Sequence, residues 1–396
     1  MGSYITLGIG ELELDWGKNF GFRDYSKLFT QADRKSINYY YADDEVIIKP
    51  GYSSPLSKVK RRLELIGYSL ENLTHRFKEY NSEYPDYLDK PNISFLDLCK
   101  IFSDINIKNY KNKKEDGDYD LGEYVIENIF ENENFKEFRK HIDIKDKDIA
   151  SYFENFDSLF ILRLLIENPE NSDMELEWRT QDLIDGGWTN DDEIYVGVQE
   201  EDKFLIVTEG SSDTFIIRKT LELLYPDILD FFSFVDMEDN YPFTGTGNLY
   251  RFCQGLTSIR IQNKTLIIFD NDLEGIEKYE KTIELDIPKN MNVMKLPNLD
   301  KFNNFLSVGP SGEFNDNING KAIAIECFLD LSSEKTPRIR WSNFNEKMQK
   351  YQGSIEKKDK YVREFKKVRT TNDKYDFSKL EILIEEIYKN CVEHRV

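Results

Sequence analysis

Cysteine and histidine are scarce in this chain of 396 residues: Cys99, Cys253, Cys327 and Cys391 are its four cysteines, and it has three histidines. No two cysteines form a CxxC pair, so neither a structural zinc site nor a disulfide framework is expected. A reducing, cytoplasmic setting follows as the expectation. Long apolar runs are also missing, so nothing predicts a bilayer crossing. Met1-Gly2-Ser3-Tyr4 lacks the charged start and apolar stretch of a signal peptide. Positive charge is in short supply, with 53 Lys and Arg against 74 Asp and Glu and a net charge of −21. Bulk acidity disfavours passive coating of a polyanion. It weighs less against a metal enzyme, because a bound cation reverses the local sign of an acidic site.

What is present builds cores. Hydrophobic residues make up 39% and aromatics 14%, which argues against wholesale disorder. The length calls for two or three domains. Residues 1–195 predict an α+β domain. Period-two alternation over Glu11-Leu12-Glu13-Leu14-Asp15-Trp16, and the runs Tyr39–Tyr41 and Glu45–Ile48, predict a small sheet. Helical spacing follows over 57–66, 69–80, 94–105, 121–130 and 149–166. Residues 196–335 alternate short apolar runs with amphipathic segments: Phe204–Val207, a helix over 213–225, Phe231–Val235, a helix from Asn248, Thr265–Phe269, a helix over 274–283, and Val293–Leu296. That alternation predicts an α/β domain with a buried parallel sheet flanked by helices. Residues 336–396 are expected to form a basic, mostly helical extension.

Chemistry on a parallel sheet gathers at the carboxyl ends of its strands. Two such ends are acidic here: Thr208-Glu209-Gly210-Ser211-Ser212-Asp213 and Phe269-Asp270-Asn271-Asp272-Leu273-Glu274-Gly275. Any one of these acids alone is ordinary as a helix N-cap. Jointly, Glu209, Asp213, Asp270 and Asp272 would repel one another unless a hard cation offset the charge, and oxygen ligands select Mg²⁺ or Mn²⁺. Gly245-Thr246-Gly247-Asn248 opens a helix, so Gly245 and Gly247 are candidates for cradling a phosphate through backbone N–H groups, against the plainer reading of a tight turn.

The segment Leu205-Ile206-Val207-Thr208-Glu209-Gly210 with Asp213, followed by Ile267-Ile268-Phe269-Asp270-Asn271-Asp272, resembles the Toprim domain of topoisomerases, primases and OLD-type nucleases. The resemblance spans about 130 residues, from Phe204 to Leu331. It implies Glu209 as general acid/base and metal ligand, Asp270 and Asp272 as catalytic metal ligands, and Asp213 as the extra acid of the nuclease branch. Ile323-Ala324-Ile325-Glu326-Cys327-Phe328 resembles that branch's downstream acidic element, which makes Glu326 a further candidate ligand. Gly8-Ile9-Gly10-Glu11-Leu12 and the helices after it resemble the domain fused to HEPN or Toprim modules in prokaryotic defence genes. HEPN ribonucleases use an Arg, four to six intervening residues and then a His, and His75, His141 and His394 all lack that spacing.

Absences narrow the reading within the Toprim group. A primase zinc module, the four-cysteine cluster of recombination mediators and a Gly-x-x-x-x-Gly-Lys-Ser/Thr nucleotide loop are all missing. The expected function is a divalent-metal-dependent nuclease acting on DNA or RNA, in defence against phage or plasmids. The alternative is a non-catalytic sensor or partner-binding subunit with a vestigial site; a protein partner or homo-oligomer fits either. Residues 334–369 carry 12 Lys and Arg against 5 Asp and Glu. Trp341, Phe344, Tyr351 and Tyr361 are interleaved with them. The segment is either a solvated helix face or a surface that tracks phosphates and stacks bases. Lys357, Lys358 and Lys360 are its candidate phosphate contacts.

Overall fold

The computed structural model describes residues 5–16, 23–41, 45–110, 122–124, 136, 145–154, 156–235, 245–310 and 312–393. The helix expected over 121–130 and most of the loop over 109–120 fall outside them, as do His141 and His394. The chain divides into two compact units, Met1–Val198 and Gln199–Arg395.

The first unit is built on a sheet of five antiparallel strands: β1 (Ile5–Ile9), β2 (Leu12–Trp16), β3 (Arg34–Tyr40), β4 (Val46–Pro55) and β5 (Glu175–Trp178), in the order β2-β1-β5-β4-β3. The central strand β5 has only four residues and no local partner, so sequence pattern alone does not reveal it. Burial explains its place: Leu176 and Trp178 are fully covered, and the Trp178 ring stacks on Phe29 with centroids 6.0 Å apart. Helices α1 (Leu56–Leu65), α2 (Leu70–Glu83), α3 (Phe95–Ser103), α4 (Asp146–Glu154) and α5 (Ser158–Leu165) supply the helical part, with the short α6 (Gln181–Asp185) after β5. The single helix expected over 149–166 is two, because Asp157 caps α5 by accepting from the Leu159 N–H at 2.9 Å.

The second unit is mixed α/β. Strands β6 (Phe204–Val207), β7 (Phe232–Phe234), β8 (Lys264–Phe269) and β10 (Met291–Lys295) form a wholly parallel sheet in the order β10-β8-β6-β7. Helices α7 (Ser211–Leu224), α8 (Thr246–Ser258) and α9 (Leu273–Ile283) connect the strands. Ile267 and Phe269 are fully buried with Leu249 and Cys253 of α8. Each such side chain contributes about 1.5–3 kcal/mol on leaving water. The two-residue strand β9 (Asn271–Asp272) pairs with β13 (Ala322–Ile323).

A second sheet, β12-β11-β14-β15, joins β11 (Phe305–Gly309), β12 (Gly312–Asp316), β14 (Ile339–Asn345) and β15 (Lys350–Ile355). The hairpin β14–β15 lies where helix is expected from sequence. Its inward residues Ile339, Trp341 and Ile355 alternate with polar ones, but the many charges between them mask the period. Helices α10 (Lys358–Lys367) and α11 (Ser378–Val392) close the unit. Among the described residues no helix is long and apolar enough to cross a membrane.

Candidate functional site

The carboxyl ends of β6 and β8 are neighbours in the sheet, and the acidic turns that leave them meet there. Glu209 ties three elements together. Its carboxylate accepts from the Thr246 hydroxyl at 2.7 Å, in the first turn of α8. It also accepts from the backbone N–H of Asp270 at 3.2 Å, just past β8. The Gly245 N–H donates to the Glu209 carbonyl at 3.1 Å. Gly245 sits at φ +90°, a left-handed conformation that glycine adopts without strain, and this bend delivers Thr246 to the carboxylate.

Asp213 and Asp272 each do the work of a cap as well. Asp213 accepts from the Gly210 N–H at 3.1 Å and the Ser212 hydroxyl at 3.2 Å. Asp272 accepts from the Gly275 N–H at 2.7 Å, starting α9, and from the side-chain amide of Gln352 on β15 at 3.1 Å. Gly275 allows α9 to begin this close to the strand: a Cβ there would lie 2.1 Å from the Asp270 carbonyl oxygen. Glu326 sits in a 3-10 turn, Ile325–Phe328, and is only 5% exposed. Sequence left open an ordinary surface position for it; the structure buries it.

Electrostatics set this group apart. Burial is the largest influence on all four strand-end acids, and like charge adds to it. The Glu209 carboxyl is pushed up to about 7, against the opposing hydrogen bonds from Thr246 and Asp270. Asp213 is pushed up to about 7 by burial and then by Glu326 and Glu209. Asp270 is raised well above the usual range by burial and then by Asp213, Glu209, Asp272 and Glu326. Burial also raises Asp272, with Glu274 adding to it. The carboxylates of Asp270 and Glu326 accept no hydrogen bond among the described residues.

This donor set is all oxygen and its charges are crowded, which fits a hard divalent cation in chemistry. It is not a finished cage. Among the described residues no three acidic, histidine or cysteine side chains are placed to hold an ion as they stand. The physical reason is visible at Asp213 and Asp272, whose oxygens are turned onto N–H and hydroxyl donors.

The expected phosphate contacts divide. Gly245 and Gly247 lie at the start of α8, beside Glu209, but the Gly245 N–H is already given to the Glu209 carbonyl. Lys357 and Lys360 share one partner, pairing with Glu334 at 2.8 and 2.5 Å, so part of their charge is already answered. Lys358 is exposed. Sequence reasoning missed Thr246, Gln352 and Gly275 as site residues. A hydroxyl between two glycines at a helix start could have drawn attention to Thr246; nothing local marks Gln352, which lies 80 residues from Asp272.

Residues 1–202 match the protein family described as HEPN/Toprim N-terminal domain 1, so the resemblance expected for the N-terminal region is borne out. No curated protein and no solved structure matches the chain.

Proposed function

This chain belongs to the HEPN/Toprim N-terminal domain 1 family, and from that premise we propose that it is a divalent-metal-dependent nuclease of the Toprim type, related to the OLD-like branch. The observation that carries this reading is Asp270. Its carboxylate is held among four others, accepts no hydrogen bond among the described residues, and is pushed far from its ordinary pKa. A half-buried acid left in that state is the pattern of a ligand awaiting a cation.

When bound, Mg²⁺ or Mn²⁺ would polarise a phosphoryl oxygen and acidify a water molecule. Asp270, Glu209 and Asp272 would hold the cation, with Asp213 and Glu326 completing the set. In the chain without a cation, burial raises Glu209, so it gives up a proton as a cation binds, and its carboxylate can then relay the proton of the attacking water. The Thr246 hydroxyl and the Asp270 N–H hold its two oxygens in place for that exchange. Gly247 would present its backbone N–H at the start of α8 to a substrate phosphate, while the Gly245 N–H, given to the Glu209 carbonyl, fixes the turn. The setting we propose is cytoplasmic defence against phage or plasmids.

Incubating the protein with plasmid, single-stranded DNA and total tRNA in Mg²⁺ or Mn²⁺ tests the reading. Cleavage should require the metal and fall by at least about 100-fold in Asp270→Asn. A second reading, a cation-binding sensor without catalysis, draws on the unfinished cage. Manganese binding with no cleavage of any of the three substrates would favour it.

A further inference from the structure

Four aromatic residues are interleaved with the basic charges of residues 334–369, and the structure sorts them. Trp341 and Tyr361 are buried, at 6% and 1% exposure, whereas Phe344 and Tyr351 are 45% and 42% exposed. These two are cross-strand partners on the β14–β15 hairpin, with ring centroids 4.9 Å apart at 63°. Among the described residues they are the only exposed aromatics of the second unit in contact with one another. Leaving so much aromatic surface in water forgoes burial without any gain to the fold.

The hairpin is also anchored to the acidic site. Gln352, the residue after Tyr351, donates to the Asp272 carboxylate at 3.1 Å. The Gly353 N–H donates to the Lys321 carbonyl at 3.4 Å, and Lys321 bridges Asp272. Tyr351 and Gln352 project from opposite faces of the strand, so the aromatic pair lies around the strand edge from the carboxylates. Chain geometry puts the Tyr351 backbone within about 10 Å of the Asp272 carboxylate. Cations flank the pair: Lys350 is exposed, and Lys347, 78% exposed, makes one long contact of 3.7 Å with Glu277.

We propose that Phe344 and Tyr351 form a stacking platform for unpaired nucleobases, so that the substrate class of this site is single-stranded nucleic acid. The proposal rests on the nuclease reading for what happens next, but not for binding. A base has an apolar face that fits the exposed rings, and its phosphates suit Lys347 and Lys350. Aromatic platforms bordered by cations bind single strands with little sequence preference. A duplex, whose bases are already stacked, gains nothing from the rings.

The test is fluorescence anisotropy of labelled single-stranded DNA, single-stranded RNA and the matching DNA duplex, in EDTA so that nothing is cut. The double variant Phe344→Ala/Tyr351→Ala should bind single strands at least about tenfold more weakly, with duplex binding unchanged. Tyr351→Phe should keep full affinity, which separates stacking from disruption of the hairpin; its melting curve checks the fold. DNA and RNA arms losing affinity alike supports a base-stacking site; loss on one alone still supports it and names the sugar. Unchanged single-strand affinity in the double variant overturns the proposal, as does equal loss on duplex. A shift from dimer to monomer in the double variant with affinity unchanged also overturns it, and makes the hairpin a contact between copies. If wild type binds single strands through the pair yet cleaves none with metal, the nuclease reading fails while this one stands.

Discussion

The two units treat buried charge in opposite ways. In the first, the buried ions Arg163, Arg179 and Asp15 each have a partner of the other sign. Arg163, 2% exposed, pairs with Glu64 and Glu167 at 2.6 and 2.5 Å, and Arg179 holds Glu177 at 2.8 Å. Even Asp15, pushed up by burial, has Arg23 at 3.5 Å. In the second unit, Asp270, Glu209 and Asp213 face one another and Glu326, and no cation is among their principal influences. Paired charges hold a fold together; unanswered like charges cost stability and persist where something outside the chain completes them. The contrast sets the candidate site acids apart from the paired ones without reference to sequence similarity.

The comparison breaks first, and most visibly, at Arg163. Arg163→Met leaves Glu64 and Glu167 without their shared cation, and should destabilise the first unit by about 3 kcal/mol in urea denaturation of the full chain. A neutral outcome would mean that these acids are solvated well enough to need no partner. Next is Gly275→Ala, which sets a methyl group against the Asp270 backbone. It should cost about 1–3 kcal/mol and also lower cation affinity, because α9 or Asp270 must move. Loss of stability with affinity retained would show that Asp270 is not positioned by that close approach.

The smallest effect is in pH. Glu167 is held below its ordinary range by Lys60 and Arg163 acting against burial. Its contribution is present above the unfolded pKa and lost as pH falls through the folded one. Glu209 and Asp213 have the opposite sign. Their folded values, near 7, lie above the unfolded ones, so their contribution is full below pH 4 and lost as pH rises toward 7. In EDTA, Glu209→Gln should therefore gain on wild type as pH rises from 5 to 8. A constant gap in melting curves across that range would remove the crowding argument.

Much of the site was legible because its signals are local. Apolar runs of four to six residues ending in Glu209 and Asp270 announce parallel strands with acids at their carboxyl ends. The same locality hid the rest. That Asp213 and Asp272 spend their oxygens on caps follows from backbone geometry, not spacing. Thr246 reaches Glu209 across 37 residues and Gln352 reaches Asp272 across 80. The strand β5 and the hairpin β14–β15 went unseen for a similar reason: pairing with distant segments, together with intervening charge, overrode the helical pattern of nearby residues.

A manganese titration at pH 7.5, followed by melting temperature, tests most directly whether a cation completes the carboxylate cluster. Wild type should rise in melting temperature with Mn²⁺ concentration, as ligand binding to the folded state requires. Asp270→Asn should start at or above the wild-type value in EDTA and then stay flat. A wild-type protein indifferent to Mn²⁺, or an Asp270→Asn variant that responds as strongly as wild type, would contradict the account.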